Sequence, residues 1–222
     1  MSSDKDDANA HGNLSLTSEE YWNDAYTLEF NNFKNFGDHG AEWFGSIIGK
    51  KMIDCIQKFC DLKQEDIILD VGCGNALLLI KLAKLGFSNL YGIDYSSPAI
   101  KLADAIVHKE NIGCIKLQVF DFLTDDVSSL PTFKIVLDKG TYDVIGMNDE
   151  KNVKRNKYKK NILNLLEPSG LFLIVCCNWT QTELNEHFND VFEVVHTIPT
   201  PKFQFGGAIG NTISAILYKK NV

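Results

Sequence analysis

Three aspartates close three short apolar runs: Asp70 in "IILDVGCGN", Asp94 in "LYGIDYS" and Asp121 in "LQVFDFL". Two glycines, Gly72 and Gly74, follow Asp70 and lead into the leucine-rich stretch beginning at Leu77. An apolar run, a tight glycine turn and a helix form the unit from which open α/β sheets build a ligand crevice at their carboxyl edge. Glycine lets the backbone turn sharply and come close to a ligand.

The ligand class follows from what surrounds those glycines. The dinucleotide fingerprint G-x-G-x-x-G asks for a third glycine, and Leu77 stands in that slot. A pyrophosphate favours bare helix N–H groups and is repelled by a carboxylate such as Asp70. A ligand with an amino group and a positive charge suits Asp70 better, and S-adenosylmethionine has both an amino group and a sulfonium. Asp94 lies 24 residues after Asp70, where a carboxylate can accept from both hydroxyls of a ribose. Asp121 can accept from an adenine amino group while Phe122 covers the ring. Each residue has a plainer alternative. Asp70 can cap the next helix, Asp94 and Asp121 can serve turns, and Phe122 can be core. The repetition at three successive strand ends favours the shared site.

The elements that must position these residues are legible as alternation. Short β-rich runs occur at "IILDV", "LYGID", "CIKLQV", "FKIVLD", "LFLIVCC", "FEVVHTI" and "TISAILYK". Helical periodicity fills Leu77–Leu85, Ser97–His108 and Asn148–Leu166 between the earlier ones. Runs apolar on both faces suit a parallel sheet covered by helices. The last two runs have no helix between them and predict an antiparallel edge pair, joined by the loop "PTPKFQFGGAIGN". The expected fold is a doubly wound α/β domain with a seven-stranded, mostly parallel sheet and an antiparallel C-terminal edge pair. "EPSG", Glu167–Gly170, reads as a helix stop. Ahead of the sheet, "SEEYWNDAY" predicts a helix capped by Thr17 or Ser18. A glycine-spaced linker, "FGDHGAEWFG", then leads to a second helix with apolar positions Ile47, Ile48, Met52, Ile53, Ile56 and Phe59. Ser96 or Ser97 is the expected cap of the helix that follows Asp94. Residues 1–17 are polar and predict a disordered tail, leaving 18–222 as a single domain.

Composition sets outer bounds. A chain of 222 residues with 45% apolar and 23% charged content builds one sizeable core. A net charge of -7 argues against nonspecific nucleic-acid binding. The six cysteines form neither a C-x-x-C pair nor a zinc-spaced cluster, so no metal is expected and a reducing compartment is the simplest reading. No signal-peptide pattern is seen, and no apolar stretch approaches the ~18 residues of a membrane span.

On these motifs the chain resembles the class I, Rossmann-like S-adenosylmethionine-dependent methyltransferases, and more narrowly the elongation factor 1-alpha lysine methyltransferases. The resemblance runs from about Tyr21 to Tyr218. Its most specific segments are "EWFG" at Glu42–Gly45, "GFSNLYGIDYS" at Gly86–Ser96, "LDKGTYD" at Leu137–Asp143, "CNWT" at Cys177–Thr180 and "TPKFQFGG" at Thr200–Gly207. Ala76 stands where similar sequences often carry glycine, and a negative φ would accommodate it.

The resemblance implies a protein-lysine N-methyltransferase acting on elongation factor 1-alpha in the cytoplasm, with the nucleus as a second compartment. It implies a monomer with a protein substrate, no direct nucleic-acid partner and no membrane association. The implied cofactor set is Trp43, Asp70, Gly72, Gly74, Asp94, Tyr95, Asp121, Phe122 and Asp138, with Trp43 and Phe44 as a lid. Asp138, Asn178 and Trp179 are the catalytic candidates, with Asp138 beside the methyl donor and the other two walling a lysine channel. Asp138 can instead pair with a lysine, and either tryptophan can be core. "LDKG" is not the N/D-P-P-Y run expected of enzymes that methylate bases or glutamine. Phe203 and Phe205 are candidates for the protein-facing surface. The six basic residues of Lys151–Asn161 read as a solvated helix face. A small-molecule methyltransferase on the same fold, a noncatalytic cofactor-binding module and, more remotely, a nicotinamide oxidoreductase are the rival readings.

Overall fold

The computed structural model describes residues 16–147, 151–205, 208–211 and 213–221. Most of the expected tail, residues 1–15, lies outside the described residues. The described chain reaches back to Leu16, whose carbonyl accepts a 2.8 Å hydrogen bond from the Trp22 indole.

Helix α1 spans Glu19–Phe36 and is capped by Ser18, whose hydroxyl accepts from the Tyr21 N–H. Helix α2 spans Gly45–Phe59. Seven strands form one sheet in the order β3-β2-β1-β4-β5-β9-β6. They are β1 Ile67–Val71, β2 Asn89–Asp94, β3 Ile115–Val119, β4 Phe133–Lys139, β5 Leu166–Cys176, β6 Phe192–Thr197 and β9 Ser214–Lys220. Strands β1 to β5 pair in parallel, whereas β9 runs antiparallel to both β5 and β6. The parallel crossovers use α3 Leu77–Lys84, α4 Ser97–Lys109, a 3-10 turn at Val127–Ser129, and the pair α5 Thr141–Gly146 and α6 Lys151–Leu165. Helix α7, Gln181–Phe188, precedes β6. This is the expected α/β sheet with its antiparallel edge.

Successive side chains of a strand point to opposite faces, and the core divides accordingly. Ile68, Leu90, Ile135, Leu137, Leu173 and Leu217 pack with Met52 and Ile56 of α2 and Leu79 of α3. Leu69, Val71, Val136, Phe172, Ile174 and Tyr218 pack with Tyr142, Tyr158, Ile162 and Phe188. Phe33 of α1 joins Leu102 and Ile106 of α4 in a smaller cluster, which carries α1 over the carboxyl edge of the sheet.

The structure corrects three sequence expectations. The "PTPKFQFGGAIGN" stretch is not only a loop: β7 Lys202–Phe205 and β8 Ala208–Asn211 pair antiparallel as a separate ribbon. Phe203 and Phe205 fall on β7, and their side chains lie outside the described residues. The helix does stop just before "EPSG", at Leu165, but the segment itself lies within β5 and not ahead of the strand. Leu166 already pairs with Phe133, and the register then shifts before Leu171 pairs with Ile135, with Ser169 at φ 56. This is the signature of extra residues bulged out of a strand. The helix expected from Asn148 is described from Lys151 to Leu165 as α6, with the separate α5 ahead of it, and the start expected at 148 lies outside the described residues. Ile47 is 67% exposed, because α2 packs through Ile48, Met52, Cys55 and Ile56. Ile47 falls on the other side of the helix, with Lys51, Asp54 and Lys58.

A Cβ on Gly92 of β2 would stand 2.8 Å from both Leu117 Cδ2 and Leu79 Cδ1, and 2.9 Å from Cys73 Sγ. Gly92→Ala should therefore overpack the contact between α3 and the sheet and destabilise the fold by about 1–3 kcal/mol, as read by urea unfolding. A midpoint equal to that of the parent chain would show that this contact yields freely.

Candidate functional site

A cavity of about 400 Å³ opens at the carboxyl edge of β1, β2 and β4, beneath α1 and the α1–α2 connection. That is the size of an ordinary small-molecule site. Its floor is the turn after β1. Gly72 and Gly74 have φ of 66° and 52°, and Ala76 has φ of 57°. The negative φ that would accommodate Ala76 is not found: alanine here caps α3 in the left-handed region, where an L residue is strained. The turn is held tightly. Cys73 N–H donates to the Ile93 carbonyl at 3.0 Å, and Thr141 Oγ1 donates to the Val71 carbonyl at 2.8 Å. A Cβ on Gly72 would collide with the Thr141 hydroxyl, and one on Gly74 with the Tyr26 hydroxyl. Glycine is required by φ and by space at once.

Asp94 clips this turn to the next one. Its Oδ2 accepts from Gly74 N–H at 3.0 Å, and its Oδ1 from Ser96 N–H at 2.9 Å. Burial pushes its carboxyl up to about 6, against the lowering effect of those two amides. Each oxygen keeps a further lone pair, and Asp94 lines the cavity with Tyr95. Asp121 is both turn acid and cavity wall: Oδ1 accepts from Leu123 N–H at 2.8 Å. Phe122 lines the cavity and packs edge-on against Tyr158 with ring centroids 5.2 Å apart, so it is core and wall together.

Asp70 sits elsewhere. It is buried at the tip of β1, and the lining passes from Val71 onward without it. Burial raises its carboxyl to about 7, with Lys139 opposing that shift. Its charge reaches the cavity through the turn and not by contact.

The roof combines residues foreseen and unforeseen. Trp43, 42% exposed, lines the cavity and packs 2.6 Å from where a Cβ on Gly140 would stand. Trp43 meets Trp22 edge-on, with centroids 5.5 Å apart. Tyr21, Trp22, Tyr26 and Glu29 of α1 complete the roof and were missed by sequence reasoning. Their signal was present: the helix carries six aromatics, Tyr21, Trp22, Tyr26, Phe30, Phe33 and Phe36, yet contributes only Phe33 to the buried core. The α1–α2 connection is strapped down by Asn75, whose amide donates to the His39 and Ala41 carbonyls, each at 3.0 Å. Glu29 Oε1 accepts from Ala41 N–H at 3.1 Å, and Lys139 Nζ donates to the Trp43 carbonyl at 3.1 Å.

The three catalytic candidates lie behind this cavity. Asp138 is fully buried and is not part of the lining. Its Oδ1 accepts from Thr141 N–H at 3.0 Å, and its Oδ2 accepts from Tyr142 N–H at 3.0 Å and from the Tyr158 hydroxyl at 2.6 Å. Burial pushes its carboxyl up to about 8. It anchors the start of α5 and pairs with no lysine among the described ion pairs. Asn178 is exposed past the end of β5, its backbone N–H donating to Asp143 Oδ1 at 2.8 Å. Trp179 lies under the Arg155 guanidinium, 4.0 Å from ring centroid to Cζ, and close against Gly146. Its indole N–H is buried without a hydrogen-bond acceptor. Arg155 and Lys159 also qualify the solvated-face reading of α6. Arg155 donates to the Tyr142 hydroxyl at 2.6 Å and Lys159 pairs with Asp190 at 2.9 Å.

The donor set fits an adenosyl ligand bearing an amino acid. Asp94 offers free lone pairs to vicinal hydroxyls, Asp121 and Phe122 suit a purine, and the side-chain-free turn admits a close approach. Aromatic rings stand where a cation can be covered.

Known proteins agree with this geometry. A family model described as a methyltransferase domain matches residues 62–220. The human "EEF1A lysine methyltransferase 2" is 42% identical over 206 residues, covering 92% of this chain and 86% of that protein. The Saccharomyces cerevisiae "Protein-lysine N-methyltransferase EFM4" is 35% identical over 217 residues, covering 92% and 94%. Among solved structures, the N-methyltransferase NodS of Bradyrhizobium japonicum, determined with S-adenosyl-L-homocysteine, superposes with a TM-score of 0.65. It is 14% identical, with 90% of this chain and 98% of that one covered, and so shares the fold.

The Tyr158 hydroxyl supplies one of the hydrogen bonds that keep Asp138 tolerable in the core. Tyr158→Phe should cost about 1–3 kcal/mol in urea unfolding, the usual effect of stranding a buried acceptor. An unchanged stability would show that Asp138 is held in the core by the Thr141 and Tyr142 amides without the Tyr158 hydroxyl.

Proposed function

Because the chain belongs to the EEF1A lysine methyltransferase family of class I S-adenosylmethionine-dependent methyltransferases, we propose that it methylates a lysine side chain of elongation factor 1-alpha in the cytoplasm. The observation that carries this reading is the Asp94-clipped glycine turn under an aromatic roof. It is a cavity shaped for an adenosyl cation and open to a side chain entering past Trp43.

S-adenosylmethionine, when bound, supplies an electrophilic methyl group on sulfonium. The residues of this chain hold and orient. Asp94 is assigned to the ribose hydroxyls, Asp121 and Phe122 to the adenine, and Gly72 and Gly74 to close backbone contact, with Tyr95 beside them. Asp70 contributes a buried negative charge beneath the turn. Trp43 is assigned to cover the cofactor and to flank the incoming lysine side chain. That lysine must be neutral to react, which from an ordinary pKa near 10.4 costs roughly 4–5 kcal/mol at pH 7. A dry, aromatic channel lowers this cost by disfavouring the ammonium form. Asp138 is assigned a positioning role, since it fixes Gly140 and Thr141 at the cavity wall through α5. Asn178 and Trp179 are assigned to the surface that meets the protein substrate.

Incubating the chain with methyl-labelled cofactor and elongation factor 1-alpha, then mapping peptides by mass spectrometry, should place label on a lysine. Label appearing only on metabolites of a lysate would overturn the protein substrate. In the same assay Asp94→Ala should lower cofactor affinity tenfold or more by calorimetry, and equal affinity would take Asp94 out of the site.

The carboxyls of Asp94 and Asp70 are held at about 6 and about 7, above the ordinary aspartate range. In the free protein they gain protons, after the still more basic Asp138, at higher pH than an ordinary aspartate does. A cationic ligand favours their ionised forms, so its binding releases protons and its affinity rises with pH. Calorimetry should show affinity increasing about tenfold from pH 5.5 to 8 and then levelling. A flat profile would mean that neither acid senses the ligand.

A further inference from the structure

Lys139 ends β4 and lines the cavity. One of its ammonium donors goes to the Trp43 carbonyl at 3.1 Å, and an ammonium has three. Its charged neighbours are Asp70, Glu42, Lys81 and Asp138. Glu42 is already taken by Lys81, whose Nζ lies 2.6 and 2.7 Å from its two oxygens. Asp70 and Asp138 are buried carboxyls whose proton affinity is raised, so they compensate a cation incompletely near neutral pH. Among the described residues Lys139 is in none of the ion pairs.

A half-satisfied cation in the wall is at odds with a cavity meant for a sulfonium. Like charges in a confined site repel strongly. The conflict is resolved when the ligand brings its own anion to that end. An amino-acid carboxylate would be such an anion, and a charge-assisted hydrogen bond to an ammonium is among the stronger polar contacts.

We propose that Lys139 is the receptor for the carboxylate of the cofactor's amino-acid end, using the donors left free by the Trp43 carbonyl. The proposal rests on the cofactor reading above. It gives Lys139 two tasks, holding the strap over the cavity and discriminating the zwitterionic end of the ligand.

S-adenosylmethionine and decarboxylated S-adenosylmethionine differ at that one group, so they isolate it. By calorimetry the unaltered chain should bind the first at least tenfold more tightly. Lys139→Met should bind the two within twofold of each other, with affinity for the decarboxylated ligand unchanged or improved. Lys139→Arg should keep most of the preference. Equal losses for both ligands in Lys139→Met would overturn the proposal and leave Lys139 as a strap anchor only, and so would no loss for either. Should Lys139→Met fail to fold, the unaltered chain and Lys139→Arg decide: equal affinities for the two ligands overturn the proposal, and a preference kept by arginine supports it. If the unaltered chain binds neither ligand, the cofactor reading falls and takes this one with it. If it binds both equally, this proposal falls alone.

Discussion

The carboxylate of Asp94 ties the turn after β1 to the turn after β2, beside the Cys73 N–H bond to the Ile93 carbonyl that joins the same two turns. One oxygen takes the N–H of Gly74 and the other that of Ser96. The first bond fixes the turn after β1, and the second fixes the entry to α4, where the Ser96 hydroxyl then accepts from Ala99 N–H. From the fixed turn, Asn75 reaches up to the His39 and Ala41 carbonyls and holds the α1–α2 connection down. One buried acid thereby sets floor, back wall and roof. The two backbone amides offset part of the cost of burying it, and its carboxyl still sits at about 6. The site exists as a cavity because that acid is held in place before any ligand arrives.

The other acids of this edge divide by what they touch. Parallel strands end where helices begin, and helix starts present unsatisfied N–H groups. Asp138 accepts from Thr141 and Tyr142, and Asp143 accepts from Cys177 and Asn178. These carboxylates build the edge from within. Asp94 and Asp121 do the same for their own turns and also face the cavity. An acid at a strand tip is therefore a structural anchor first. Only its remaining lone pairs, on the side the backbone leaves open, are available for binding.

That distinction marks the limit of what the sequence could reveal. Strand runs, the antiparallel edge, the Ser18 and Ser96 caps, and Gly72, Gly74, Asp94, Asp121 and Phe122 at a common cavity were legible because period, turn chemistry and spacing are local properties. Asp70 and Asp138 have the same local context as Asp94, and no pattern tells which of them turns toward the ligand. That depends on what packs above them, Lys139 for one and Tyr158 for the other. Helix α1 was legible as a helix but not as a roof, because its position follows from long-range packing of Phe33 on α4. The β7–β8 ribbon and the bulge at Glu167–Gly170 escaped notice since glycine and proline punctuate both loops and irregular strands.

Helix α5 connects the two sides of the machinery. Thr141 at its start lines the cavity and bonds the Val71 carbonyl. Gly146 at its end lies so close to Trp179 that no side chain would fit between them. Asp138 pins the first end to β4, and Asp143, within the helix, pins the tip of β5. With only six residues the helix has little room to bend between those pins. The Asn178–Trp179 corner and the cavity wall at Gly140–Thr141 are thus joined through one short helix. On the function proposed above, a protein substrate seated against that corner would be related to the cavity through this helix, without Asn178 or Trp179 reaching into the lining. On that proposal these residues, lying outside the lining, fit positioning better than acid–base chemistry, since none of their polar atoms reaches the cavity.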